Sequence, residues 1–112
     1  MIYEDPPGSS HSEAEAVFRS GSDEEICETL IGLALHDSDW EWVQERSIEL
    51  SHHSQWPIRA VAATSLGHLA RIHKCIDRPR VTARLDEMLQ DEKVRGYASD
   101  ALSDIAMFMR KR

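Results

Sequence analysis

Several protein classes are excluded by what is missing from these 112 residues. No run approaches the ~18 consecutive apolar residues that a membrane span needs. Residues 1–5 are acidic, where a signal peptide would be basic. The reading is therefore cytoplasmic, with no membrane contact. Only 5 Gly and 4 Pro are present, too few for the turns of an all-β fold. The two cysteines, Cys27 and Cys75, form neither a CxxC motif nor a pair with metal-ligand spacing. They are expected as reduced, partly buried thiols, with a disulfide as the alternative. Basic residues are scarce as well: 13 Lys and Arg stand against 20 Asp and Glu, a formal net charge of -7. Such a chain repels phosphate backbones, which argues against nucleic acid as a direct ligand and favours a basic partner. No nucleophile–base–acid arrangement, phosphate-binding loop or dinucleotide fingerprint occurs, so neither enzymatic activity nor a cofactor is expected.

What the chain does contain is one pattern written twice. Ile58-Arg59 is followed by Ala62, Leu66 and Leu69, and Val94-Arg95 by Ala98, Leu102 and Ile105, an offset of 36 residues from 58 to 94. In each copy the apolar positions fall at +4, +8 and +11, one stripe of a 3.6-residue period. The same offset backwards reaches Ile26, Leu30 and Leu33, a degenerate first copy without the Arg. A period of this length marks stacked helical hairpins, whose terminal units depart from the repeat.

Local signals place about six helices. Residues 1–10, with Pro6, Pro7 and Gly8, read as a flexible lead-in, and residues 11–112 as one domain. A capping box at Ser10-His11-Ser12-Glu13 or at Ser12-Glu13-Ala14-Glu15 opens a short helix that stops near Gly21. Ser22-Asp23-Glu24-Glu25 opens a second over about 23–36, and Ser38-Asp39-Trp40-Glu41 a third that reaches about 51. Pro57 suits the first turn of a fourth helix running to about 73, with Ile58, Ala62, Leu66, Leu69 and Ile72 inward. Asp77 and Pro79 start a fifth that ends near 90. A sixth spans about 92–109, with the basic residues at 110–112 complementing its dipole.

Pro57-Ile58-Arg59-Ala60-Val61-Ala62-Ala63 with Leu66-Gly67 resembles the second-helix signature of HEAT repeats, and Asp91-Glu92-Lys93-Val94-Arg95 with Ala98 and Leu102 is similar to another copy. The resemblance covers residues 40–109. It implies an all-α, short HEAT-like α–α superhelix of about six helices, and it carries no specificity for function. It also implies a polar ladder between units, for which Arg59 and Arg95 occupy the Arg position and Asp91 the Asp position, while Gln55 stands where the earlier unit would have its Asp. HEAT-like proteins include scaffolds, lyase-type proteins, repair glycosylases and small bacterial inhibitor or immunity proteins. A short acidic chain is most similar to the binding-only members. The expectation is a protein-binding inhibitor that occludes a basic partner such as a nuclease toxin; the alternative is a scaffold joining components of a larger complex.

The second helices of such a stack line one surface. Ala60, Thr64, Gly67, His68 and Arg71 would share it with Gly96, Asp100, Ser103, Asp104 and Met107, and with Tyr97 at the edge. This surface reads either as a groove for a basic element of a partner or as a solvated polar face. Trp42 is either an exposed anchor near Glu45 and Glu49 or packed against the N-terminal helices, and Trp56 is expected to staple a helix start. The candidate partner-binding residues are thus Trp42, Glu45, Glu49, His68, Arg71, Tyr97, Asp100 and Asp104. No metal site is expected: His52 and His53 are adjacent, and His68 and His73 are five apart, so each pair diverges around its helix.

Overall fold

A computed structural model describes residues 7–109 of the chain. Six α-helices follow in order: α1 (Pro7–Ser20), α2 (Asp23–His36), α3 (Trp40–Leu50), α4 (Trp56–His68), α5 (Arg78–Met88) and α6 (Arg95–Phe108). A π-helical turn, Leu69–His73, continues α4 directly. Helices α2, α4 and α6 lie side by side, with α4 in the middle. Helices α1, α3 and α5 form a second layer, joined by side chains. The shortest dimension of the fold is 21 Å. Two layers of helices, each about 10 Å across, fill that thickness. No described helix is long and apolar enough to cross a membrane.

The local sequence accounts for most boundaries. Ser22 accepts the Glu25 N–H at 3.1 Å, and the Glu25 carboxylate accepts the Ser22 N–H at 2.8 Å. This is the expected capping box, with two otherwise unpaired donors satisfied reciprocally. Asp77 caps α5 with Pro79 in its first turn, where a missing N–H costs nothing. The α3 cap is Asp39, which accepts the Trp42 N–H at 3.1 Å, rather than Ser38. Asp and Ser are comparable as caps, so propensity does not choose between them. The Asp37 carboxylate takes the Asp39 N–H at 2.7 Å and sets the turn one residue later. Helix α1 opens at Pro7, a residue with no N–H to leave unpaired in a first turn, so the helix begins within the stretch expected as lead-in. Residues 1–6 and the basic residues 110–112 lie outside the described part. Helix α6 starts at Arg95 and not near 92, because Asp91 is taken up by a turn: its carboxylate accepts the Lys93 N–H at 3.1 Å and its carbonyl the Val94 N–H at 3.1 Å.

Burial follows the 36-residue pattern. Ile58, Ala62, Leu66 and Leu69 are fully buried, as are Val94 and Ala98, with Ile105 nearly so and Leu102 packed on the core edge. In the first copy Ile26, Leu30 and Ala34 are buried and Leu33 is half-buried. Ile72 departs from the expected pattern and stands 40% exposed. The π turn explains it: the Lys74 N–H donates to the Leu69 carbonyl five residues back, so one extra residue enters the turn and the face rotates. His73 moves inward instead, and its Nε2 lies 3.2 Å from the Ala34 carbonyl. The chain then leaves through Lys74 in the left-handed region at φ 56°.

Successive segments are tied by arginines. Arg59 Nε donates to Asp91 at 3.0 Å, the ladder contact expected between units, and Arg59 Nη1 donates to the carbonyls of His53 at 2.9 Å and Ser54 at 3.1 Å. Arg95 repeats the motif, donating from Nε to the Leu89 carbonyl at 2.9 Å, again six residues back. Each arginine therefore holds the end of the preceding segment onto the start of its own helix. Arg84 clamps α5 to the end of α3 through the Ser51 hydroxyl at 2.8 Å and carbonyl at 2.9 Å.

Replacing Arg59 by Ala should lower the unfolding free energy by about 2 kcal/mol, the scale of losing charged hydrogen bonds to two backbone carbonyls, with Lys restoring less than half of it in urea titration. Desolvation opposes the charge on Asp91, but the Lys93 N–H and the Arg59 guanidinium hold its carboxyl below the ordinary range. Its contribution is therefore present above pH ~4 and is lost as pH falls through the lowered folded value; Asp91→Asn should remove that acid dependence. The buried hydroxyl of Ser65 meets no hydrogen-bond partner among the described residues. Ser65→Ala should keep or raise stability, by up to ~1 kcal/mol, in thermal unfolding, since Ala is the better helix former and leaves no hydroxyl to desolvate.

Candidate functional site

The candidate residues separate into two groups on different layers. His68 ends α4, Arg71 lies in the π turn that follows, and Tyr97, Asp100 and Asp104 belong to α6. Trp42, Glu45 and Glu49 belong to α3, in the other layer.

The first group is brought together by close contact of α4 and α6. A Cβ added to Gly67 would sit 3.1 and 3.2 Å from Cα and Cβ of Ala101 and 3.0 Å from Asp104 Oδ2. Only glycine lets the helices approach this far without displacing a neighbour. The approach lays the Asp104 carboxylate against α4, where its charge reaches the His68 ring. Arg71 Nη2 lies 2.8 Å from His68 Nδ1. A guanidinium can only donate, so Nδ1 accepts and the neutral ring carries its proton on Nε2. Burial first and the Arg71 charge second push the His68 pKa down, against an opposing pull from Asp104.

Along α6, positions 97, 100, 104 and 107 recur at intervals of three, four and three, one stripe of the helix. Tyr97 and Met107 stand 44% and 59% exposed at its two ends, with Asp100 exposed and Asp104 half-buried between them. Ile72, turned outward by the π turn, adds a further exposed apolar side chain on the α4 side. The result is a ridge of acid flanked by apolar anchors, with Arg71 beside it. The expected open face of α4 is narrower than its sequence suggests: Ala60 and Gly67 are buried, because α4 has a neighbour on either side in its own layer.

The second group makes contacts within the molecule, with Glu49 still largely exposed. Trp42 takes the packing alternative: its ring stacks on His11 at 3.8 Å with 3° between the planes, and the Arg46 guanidinium lies 5.8 Å from its centroid. His11 in turn approaches Asp37 at 3.1 Å, so this stack fastens α1 to the rest of the fold. Glu45 makes a two-point pair with Arg80 of α5 at 2.7 and 3.0 Å. Those bonds from Arg80 hold the Glu45 carboxyl below its usual range. Glu49 pairs with Arg46 at 3.0 Å, and Arg46 reaches Glu15 of α1 at 2.8 Å. These charges join α1, α3 and α5 into a layer. Trp56 stands 40% exposed with Lys93 Nζ 6.0 Å from its ring, rather than folding in as a staple, because as the first residue of α4 it sits at the end of the packed layer.

Among the described residues no group of three or more His, Cys, Asp or Glu side chains is placed to hold a metal ion. Cys27 and Cys75 are free, half-buried thiols. The exposure of Ile72 had no sequence signal, since it follows from the π turn, whereas the Tyr97 to Met107 stripe could be read from spacing alone.

Because the His68 pKa is lowered in the folded state, its neutral form contributes stability that is complete above pH ~6.5 and lost as pH falls through the folded value. An NMR titration should place the His68 midpoint below that of a free histidine, and Arg71→Ala should raise it while burial keeps it from returning fully. An unchanged midpoint in Arg71→Ala would contradict the contact.

No family model matches the sequence, and no curated protein matches it. Among solved structures, a chain in the crystal structure of a CDI complex from Cupriavidus taiwanensis LMG 19424 is similar over 99% of this chain and 99% of its own, with 30% identity and a TM-score of 0.82. Identity at that level along the full length of both chains reflects common descent and not merely a shared way of stacking helices. The chain belongs to the family of that CDI-complex protein.

Proposed function

We propose that this protein is the immunity-type member of a contact-dependent inhibition (CDI) pair, a non-enzymatic inhibitor that binds a toxin and occludes its working surface. The single observation that carries the reading is the full-length similarity to a protein crystallised in a CDI complex. The net charge of -7 supports the inhibitory side of such a pair, because an acidic surface complements a basic toxin such as a nuclease.

The α4–α6 ridge supplies the contact. Asp100 and Asp104 steer a basic surface inward, while Tyr97 and Met107 at the ends of the stripe are placed to be buried on binding, as aromatic and methionine side chains are at interface centres. His68 and Arg71 add directional hydrogen bonds beside the acids. The stacked helices present this ridge on rigid elements, so little order has to be gained on association.

Capture of the tagged protein from its native cells, at low and high salt, identifies the partner. Expression of that partner alone should arrest growth, and coexpression with this protein should restore it; a captured partner that leaves growth unaffected would defeat the inhibitor reading. Asp100→Asn together with Asp104→Asn should weaken binding about tenfold or more, mainly through slower association at low salt, and should flatten the salt dependence. Equal affinity in the double variant would move the contact off this ridge.

A further inference from the structure

Helices α1 and α2 form the end of the stack remote from α6, and a cleft of about 370 Å³ opens between them. Its floor is mostly apolar, built from Ala14, Val17, Gly32 and Leu33 with Thr29 beside them, and the exposed Glu13 and Glu28 stand at its rim. The volume is at the small end of the ~300–1,000 Å³ range of ligand clefts, room for one or two apolar side chains.

Two features of the cleft stand out. The first is Gly32. Glycine inside a helix is less stable than alanine, and at Gly67 close helix contact accounts for it. At Gly32 a Cβ would meet nothing within 4 Å. Nothing within the described fold requires glycine there, and its missing side chain is what leaves the cleft floor open. The second is charge. On α1 and α2 the described acids are Glu13, Glu15, Asp23, Glu24, Glu25 and Glu28, against Arg19 as the one Lys or Arg. Glu15 is paired with Arg46 and Glu25 accepts the Ser22 N–H, while Glu28 is exposed at the cleft itself and Asp23 and Glu24 are exposed in the first turn of α2. The Cys27 thiol feels this field: burial first, then Asp23 and Glu28, push its pKa up.

We propose that the α1–α2 cleft is a second docking site, which receives an apolar side chain carried between basic residues on a polypeptide partner. The apolar floor takes the side chain, Glu28 at the rim pairs with a flanking cation, and the net negative charge of α1 and α2 favours the basic residues around it. The site is separate from the α4–α6 ridge and does not depend on the inhibitor reading, so either can fail alone.

The test uses the full chain, with three synthetic peptides followed by backbone amide NMR. Acetyl-Lys-Lys-Phe-Leu-Lys-Lys-amide should shift the amides of Ala14, Val17, Gly32 and Leu33. The charge-only peptide Lys-Lys-Ser-Gly-Lys-Lys should shift them at least tenfold more weakly, by apparent affinity, and Glu-Glu-Phe-Leu-Glu-Glu should not shift them. Gly32→Leu fills the cleft from within while improving helix propensity, and should abolish the first response without lowering the melting temperature. Gly32→Ala, which leaves most of the space, should keep it. Should Gly32→Leu disturb the fold, Glu28→Lys provides the second variant and should weaken the basic peptide by reversing one rim charge. Equal response to both lysine peptides, or a response unchanged in Gly32→Leu and in Glu28→Lys, would overturn the proposal. So would sedimentation showing a dimer that Gly32→Leu dissociates, which would give the cleft to a second copy of the chain.

Discussion

Everything else in this fold is arranged around the close approach of α4 to its neighbours. Helix α4 is flanked by α2 and α6 and backed by α3, so it must be slim on several sides at once. Its buried residues include Ala60, Ala62, Ala63, Ser65 and Gly67, with Ile58 and Leu66 as the large side chains. Small residues permit short distances between helix axes, and the gain in van der Waals contact along the whole helix offsets the modest apolar area each residue buries. Gly67 is the extreme case: at that point Ala101 and Asp104 of α6 occupy the space a side chain would need. The same contact that packs the core thus fixes where Asp104 sits.

The other layer is held differently. Between α1, α3 and α5 the described contacts include Arg46 with Glu15, Arg80 with Glu45, Arg84 with Ser51 and the side-chain amide oxygen of Gln44, which accepts the Asp77 N–H. Exposed ion pairs of this kind contribute little each, but guanidinium forks fix direction, and together they set the register of one hairpin on the next. Arg59 and Arg95 work at the junction of the layers, each reaching back six residues to a carbonyl of the preceding segment. An α–α stack needs this because its hairpins meet through narrow apolar stripes that would otherwise allow sliding.

This division of labour bears on recognition. Glu45 on α3 is used within the layer, whereas Asp100 on α6 and the acids in the first turn of α2 are turned to solvent in different parts of the stack. Like charges kept apart this way spread the negative field over a long surface without adding strong repulsion at any one contact. Apolar features, Tyr97 and Met107 at one and the cleft floor at the other, lie at each region.

Much of this fold was legible in the sequence, because helix signals are local. The Ser22 box, Asp77 with Pro79, and the stripes from Ile58 and Val94 depend on residues three or four positions apart, and a single chain displays them directly. The Arg59 to Asp91 tie could be anticipated through the HEAT resemblance, which implies an Arg–Asp ladder between units, whereas Arg95 meets the Leu89 carbonyl instead. The candidate site was legible only in part. The stripe of Tyr97, Asp100 and Asp104 follows from helical spacing, but the contacts that Trp42, Glu45 and Glu49 make within the molecule depend on His11, Arg80 and Arg46. Two of those partners lie 31 and 35 positions from the residue they engage, counted from 11 to 42 and from 45 to 80. The outward turn of Ile72 and the open floor at Gly32 belong to the same class. Short-range periodicity was enough to say which segments are helical and which stripe of each is apolar, because both depend on residues within two turns of one another. Which polar and aromatic side chains are consumed by neighbours, and which are left to meet a partner, emerged with the packed chain alone, because it rests on what folding places opposite them.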